Sequence, residues 1–252
     1  MFFILLTGFC IADETPTVKS LAVTNPAYAL FVGNSYFYYN NSLHIHLQEM
    51  IISSAVAERE TLGFKSVTIN GARLKHHEVS NYVKPGQLGI DAPFQVVILQ
   101  GHSTAALTQD NSALFERSVK RHSEAARRQG AEVALYMTPA YVYPHKLQRD
   151  DLMRDIESLY TKVGNEIGAL VIPVGLAFEE AYRRNPHLKL HNSNDGSHPS
   201  LLGTYLGAAT VFTALYNRSP IGNGYDYFGA IDADTRLFLQ QVAHDTVSNF
   251  YQ

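Results

Sequence analysis

Only one cysteine, Cys10, stands in the 252 residues. No internal disulfide can form, and no cysteine-based metal site can be built. Basic residues are scattered, with no Lys/Arg block, and the formal net charge is -3. That excludes the electrostatic footprint of a nucleic-acid binder and disfavours a strongly anionic membrane surface as partner. A Gly-rich phosphate loop and a dinucleotide fingerprint are both missing. There is no internal repeat, low-complexity tract or linker that would split the chain. No apolar run is long enough to span a bilayer, so stable membrane insertion is not expected.

What is present is an ordinary globular composition, 46% hydrophobic and 17% charged. The length suits one α/β domain, expected over residues 26–252. Ahead of it, residues 2–12 form a short apolar run followed by Asp13-Glu-Thr-Pro-Thr17. This reads as a signal peptide over 1–12, cleaved near Ala12, which would export the protein to the periplasm or outside the cell. A buried first strand is the competing reading, because no Lys or Arg precedes the run.

The chain then alternates two hydrophobic periodicities. Buried strands are expected at Tyr28–Val32, Phe64–Ile69, Phe94–Leu99, Val133–Met137 and Ala169–Ile172. Helices are expected over Leu43–Glu58, Leu74–Tyr82, Ser112–Gln129, Asp150–Ile167, Val174–Arg184, Leu201–Tyr216 and Asp232–Tyr251. Short apolar strands separated by helices imply a parallel sheet covered on both faces. Such sheets bind ligands outside the carboxyl ends of their strands.

Three strands end in residues that carry chemistry. Gly33-Asn34-Ser35 follows the first, and its serine hydroxyl and N–H would sit at the sheet rim. Gly71 follows the second, where the absence of a side chain lets the backbone approach a substrate. Gln100-Gly-His102-Ser103 follows the third, with an amide able to donate to a developing negative charge. Near the C-terminus, Asp195-Gly-Ser-His198 spaces a carboxylate so that it can reach the imidazole Nδ1–H and leave Nε2 to accept a hydroxyl proton. Taken singly, each has a plainer reading: a turn serine, a turn glycine, a capping aspartate beside a surface histidine.

Together, and in this order, the blocks resemble the SGNH (GDSL-like) hydrolase superfamily, over residues 28–216. The resemblance implies a three-layer α/β/α sandwich around a five-stranded parallel sheet, flavodoxin-like in layout. It implies a serine esterase with Ser35 as nucleophile, His198 as base and Asp195 as its orienting acid, and no cofactor. The oxyanion hole would be the N–H groups of Ser35 and Gly71 plus the Gln100 amide, with His102 competing for the third place. The family's third block carries Gly-x-Asn-Asp, and this chain has no asparagine there; Gln100-Gly-His-Ser looks more like the Gln-Gly-Glu-Ser variant of carbohydrate acetyl-esterases. Asn34, Tyr36, His102 and Tyr141 are the expected substrate contacts, and a small-molecule or carbohydrate ester is the expected substrate.

Other features carry less. His44 and His46 point to different helix faces, and the adjacent His76 and His77 do not easily share one ion, so no metal site is expected. Tyr36-Phe-Tyr-Tyr39 reads either as a pocket wall or as core packing. Arg73 reads as a contact for an acidic substrate group or as a solvated surface residue. Lipase, phospholipase, thioesterase and acyltransferase activities all use the same triad. A non-catalytic saccharide-binding domain is the alternative of another class, disfavoured because binding has no need of all three residues.

Overall fold

The computed structural model describes residues 14–252. The expected signal peptide and Cys10 lie outside the described residues. Five strands form one sheet: β1 (Tyr28–Gly33), β2 (Gly63–Thr68), β3 (Val96–Gln100), β4 (Glu132–Tyr136) and β5 (Leu170–Ile172). Their order is β2-β1-β3-β4-β5 and every pairing is parallel.

Alternation along each strand builds two cores. In β1, Ala29 and Phe31 face one hydrophobic cluster, and Leu30 and Val32 face the other. In β3, Val96 and Ile98 divide from Val97 and Leu99 in the same way. The period-two geometry of a strand sends neighbours to opposite faces, so an unbroken apolar run means both faces are covered. One face is covered by α2 (Leu43–Ser53), α6 (Val174–Arg184), α7 (Leu201–Tyr216) and α8 (Ala233–Phe250). The other is covered by α3 (Val79–Tyr82), α4 (Gln109–Arg128) and α5 (Leu152–Ile167). The result is the expected three-layer α/β/α sandwich.

Helix α7 is apolar on nearly every side and packs against both α2 and α8. Its small residues make that possible. A Cβ on Gly203 would lie 2.1 Å from the Leu190 carbonyl oxygen. Ser200 caps α7 by accepting the Gly203 N–H, and Asp232 caps α8 by accepting that of Thr235, as polar side chains at these positions do.

Several boundaries differ from expectation, each for a local reason. Helix α2 stops at Ser53 and not at Glu58, because Ala55 takes a left-handed backbone with φ of 52°. The segment Leu74–Tyr82 is not one helix. A 3-10 turn over Leu74–His76 is followed by extended His77, and only Val79–Tyr82 is helical. His77 breaks the helix because its ring turns inward and its Nε2–H donates to the Gly33 carbonyl oxygen at 2.9 Å. Helix α4 begins at Gln109, three residues before the expected start, with Thr108 as its cap. A one-turn helix, α1 (Ser35–Tyr38), follows β1 directly; no periodicity announced it. Among the described residues no helix is long and apolar enough to cross a membrane.

Burial has an electrostatic consequence. It pushes His44 and His191 down to about 4, and it lowers His46, His77 and His122. The charged form is disfavoured because the interior solvates it poorly. The unfolded chain therefore binds more protons than the folded one below pH 6.5. The stabilisation is complete above that pH and is lost as pH falls toward 4, on the order of 2–3 kcal/mol for a histidine held two pH decades low. The urea midpoint should be flat from pH 8 to 7 and fall steadily from 6.5 to 4.5. His44→Gln should make that fall shallower; an unchanged slope would remove His44 from the account.

Candidate active site

The site is built where the chain leaves β1. With the order β2-β1-β3, connections depart to opposite sides of β1, which opens a crevice at its carboxyl end. Gly33 is required there. A Cβ would stand 2.4 Å from Gln100 Oε1 and 2.9 Å from the Phe37 ring.

Asn34 is only 2% exposed, and it ties three segments together. Its N–H donates to Gln100 Oε1 at 2.9 Å, its amide donates to the Ala72 carbonyl at 3.0 Å, and its Oδ1 accepts the Tyr36 N–H at 3.2 Å. The strand ends, the serine turn and the loop after β2 are thus held by one residue, through its backbone N–H and its side chain. The structure does not open Asn34 to a ligand, contrary to its expected place among the substrate contacts.

Ser35 heads the one-turn helix. Its Oγ lies 2.8 Å from His198 Nε2, and His198 Nδ1 lies 2.8 Å from Asp195 Oδ2. Asp195 Oδ1 accepts the N–H groups of Ser197 and His198 at 2.8 and 3.0 Å. Burial works against the ionised carboxylate, but these donors and the imidazole outweigh it and hold Asp195 below its ordinary range. An ionised Asp195 keeps the proton on Nδ1, so Nε2 presents a lone pair to the Ser35 hydroxyl.

The loop carrying Asp195 and His198 is closed by its own backbone. The Asn192 N–H donates to the His198 carbonyl at 2.7 Å, and the Gly196 N–H to the Asn192 carbonyl at 2.9 Å. Gly196 has φ of 62°, and a Cβ there would lie 2.1 Å from the Val142 carbonyl oxygen. The Asp-Gly-Ser-His loop therefore seats directly on the segment after β4. Ser200, and not Asp195, caps the helix that follows.

The expected oxyanion donors separate. The N–H groups of Ser35 and Gly71 have no protein acceptor among the described residues. Gly71 is exposed, with φ of 63° and open space where a Cβ would stand. Gln100 is 1% exposed, its Oε1 is taken by Asn34, and its Nε2 donates to the Gly101 carbonyl. His102 is oriented differently. Its Nδ1 accepts the Thr104 N–H at 3.2 Å and lies 2.8 Å from the Thr104 hydroxyl. The proton is therefore on Nε2. Burial lowers its affinity for a second proton, and Arg73 and His76 add to that.

The aromatic run after Ser35 divides. Phe37 is core, edge-on to Phe31 and Tyr136. Tyr36 is 4% exposed and shares a hydrogen bond of 2.7 Å with Ser197 Oγ. Tyr141 is also buried and stacks on His145 with ring centroids 3.6 Å apart. These two tyrosines brace the site from within more than they line it. Tyr39 stacks on His198 with ring centroids 4.3 Å apart and planes 12° apart. Sequence reasoning had not singled out that contact, although Tyr39 stands one helical turn after Ser35. Arg73 donates to Asn111 Oδ1 at 2.6 Å and so joins the loop after β2 to the start of α4.

His187 and His191 have a His-x3-His spacing. They lie in the irregular segment after α6, where His187 is exposed and His191 is buried against Tyr182 and Phe178. Among the described residues no three histidine, cysteine or acidic side chains are grouped to hold a metal ion.

We found no match among protein-family models or curated proteins. Solved structures do match. A DUF4886 family protein from Bacteroides uniformis aligns with a TM-score of 0.64 at 19% identity, over 89% of this chain and 95% of that one. An acetyl xylan esterase, AlAXEase, aligns with a TM-score of 0.55 at 17% identity, over 74% and 98%. A member of the lipolytic protein G-D-S-L family from Veillonella parvula aligns with a TM-score of 0.54 at 16% identity, over 74% and 98%. The likeness is one of fold: the chain has the α/β/α architecture of SGNH (GDSL-like) hydrolases.

The seating of Gly196 gives a direct test. Gly196→Ala should destabilise the protein by roughly 1–3 kcal/mol in urea unfolding, through positive φ and overlap with Val142. Gly71→Ala, which meets open space, should cost no more than about 1 kcal/mol. Equal losses would show that the two loops are not seated as described.

Proposed function

We propose that the protein is an exported serine esterase acting on small acyl groups, with acetyl esters of carbohydrate as the leading substrate class. The observation that carries the reading is the unbroken chain from Ser35 Oγ to His198 to Asp195, with both links at 2.8 Å. It lies at the carboxyl edge of a parallel sheet, where such folds bind ligands.

The chemistry follows from the geometry. His198 Nε2 takes the Ser35 proton as Oγ attacks the ester carbonyl carbon. Asp195 keeps Nδ1 protonated and stabilises the imidazolium that forms. The tetrahedral oxyanion receives the N–H groups of Ser35 and Gly71. His102 supplies the third donor from its protonated Nε2, as a neutral imidazole, and Gln100 serves as the strut that holds Asn34. His198 then gives its proton to the leaving alcohol. Water attacks the acyl-enzyme through the same base, and the acid is released.

Two observations support a carbohydrate alcohol. One neighbour in fold is an acetyl xylan esterase. Exposed aromatic rings also flank the catalytic edge: Tyr38 beside the serine turn, and Tyr143, 84% exposed, on the segment against Gly196. Sugar rings commonly seat on such faces.

The test is hydrolysis of p-nitrophenyl acetate against butyrate and octanoate, with acetylated xylooligosaccharide as the natural-type substrate. Acetate should be preferred. Ser35→Ala and His198→Ala should each lower kcat by a factor on the order of 10^4 or more. An unchanged rate for Ser35→Ala would end the esterase reading.

The third donor is tested separately. His102→Ala should lower kcat about 100-fold, near 3 kcal/mol, while leaving the urea midpoint close to wild type. Gln100→Ala should instead lower stability by about 1–3 kcal/mol, because the buried Asn34 N–H loses its acceptor. If His102→Ala keeps full activity, the third donor lies elsewhere.

A further inference from the structure

Two rings stack outward from the base of the proposed triad. Tyr39 lies flat on the His198 imidazole, centroids 4.3 Å apart and planes within 12°. Tyr38 stacks in turn on Tyr39 at 5.6 Å and 27°. Tyr38 is itself anchored, because its hydroxyl donates to Asn70 Oδ1 at 2.9 Å in the loop after β2. The stack is tied to the nucleophile through the backbone. The Tyr39 N–H donates to the Ser35 carbonyl at 3.2 Å, closing the one-turn helix that Ser35 opens. Just beyond, the Asn40 amide donates to the Pro199 carbonyl and to Thr204 Oγ1, at 2.9 and 2.8 Å. The segment carrying the rings is therefore fastened to the loop carrying His198.

We propose that Tyr39 is a positioning residue whose ring face holds the His198 imidazole in plane with Ser35 and Asp195 and stabilises its protonated form. This deepens the esterase reading and rests on it for its catalytic meaning. The imidazole has edge contacts from Asp195 at Nδ1 and Ser35 at Nε2, but hydrogen bonds in the ring plane do not stop it from tilting about the line between them. A flat partner does. The face of an aromatic ring also carries negative quadrupole density, which attracts an adjacent cation. His198 becomes that cation when it takes the Ser35 proton. The other groups around it do not supply this contact. Tyr36 lies 5.7 Å away and is tilted by 39°. Asp195 acts at the edge, and His145 and His191 sense Asp195 without stacking on His198.

The test uses Tyr39→Leu, Tyr39→Met and Tyr39→Phe in the full-length protein. Tyr39 is only partly buried, so the variants should fold, and thermal unfolding checks that they do. Tyr39→Leu and Tyr39→Met should lower kcat on p-nitrophenyl acetate about three- to tenfold, with KM changed less than twofold. The acid limb of kcat/KM against pH should move to lower pH by roughly 0.5, because the imidazolium has lost a stabilising face. Tyr39→Phe keeps the face and should stay within about twofold of wild type in kcat. The titration midpoint of the His198 ring proton in NMR should move in the same direction and order, and that readout needs no turnover. If the aliphatic variants leave both the acid limb and the NMR midpoint in place, the proposal is overturned. It is equally overturned if Tyr39→Phe loses as much as Tyr39→Leu. If wild type shows no Ser35-dependent hydrolysis, the esterase reading fails, while the NMR midpoints still decide whether the stack stabilises the imidazolium.

Discussion

One hydrogen bond at the switch point of the sheet organises the rest of the site. The Asn34 N–H, just past the end of strand β1, donates to the side chain of Gln100 at the end of the central strand β3. Both groups are almost wholly buried. A buried N–H left without an acceptor costs about 1–3 kcal/mol, so this link strongly favours one geometry. Gln100 reaches the N–H only because Gly33 has no side chain in the way. Once Asn34 is held, its own amide fixes the loop after β2 through Ala72, and its Oδ1 starts the turn that presents Ser35. The residues that distinguish Gly-Asn-Ser from any other strand end are thus explained by fit at the junction.

The histidines illustrate two opposite uses of one side chain. His44, His46, His77, His122 and His191 are kept neutral by burial. His77 and His122 spend a ring nitrogen on main-chain carbonyls, of Gly33 and Leu74 respectively. They serve as rigid polar spacers in places where a helix or strand would leave carbonyls unpaired. His198 alone has an ionised carboxylate at one nitrogen and a hydroxyl at the other. That difference of partners, and not histidine content, separates the proposed base from the scaffold.

Much of this was legible in the sequence, and what was not has a physical reason. Strands β1 and β3 announced themselves because both faces of the sheet are covered there, which makes each an unbroken apolar run; the edge strand β2, with Lys65 and Ser66, is mostly half-buried. Ser35, Asp195 and His198 were legible as a set because strand ends in a parallel sheet converge, and the structure brings the three side chains together. Asn34 and Tyr36 were read as substrate contacts because they flank the serine. Their burial depends on β3 and on Ser197, 161 residues beyond Tyr36 in the chain, which no local pattern encodes. Gln100 was read as an oxyanion donor from its place after β3. Whether an amide faces the crevice or the neighbouring backbone is a rotamer choice, and Gly33 leaves room for the second. The helix expected over Leu74–Tyr82 failed for a related reason: the inward turn of His77 is a tertiary demand that overrides helical periodicity.

The two links of the Ser–His–Asp chain differ in kind. Asp195 and His198 are three residues apart, in a loop closed by hydrogen bonds among Asn192, Asp195, Gly196 and His198. That half is local and can persist through sizeable motions of the scaffold. Ser35 and His198 are 163 residues apart, and their contact exists only while the two cores are assembled. The parts that deliver His198 to Ser35 are the tight seating of α7 beneath Leu190, the overlap-free fit of Gly196 on Val142, and the Asn40 clasp on Pro199. All three act on the His198 loop from outside the chemistry. The absence of side chains at Gly196 and Gly203 is therefore part of what lets the His198 loop sit against Ser35. A Cβ at either would overlap a main-chain carbonyl oxygen, of Val142 or of Leu190, at 2.1 Å.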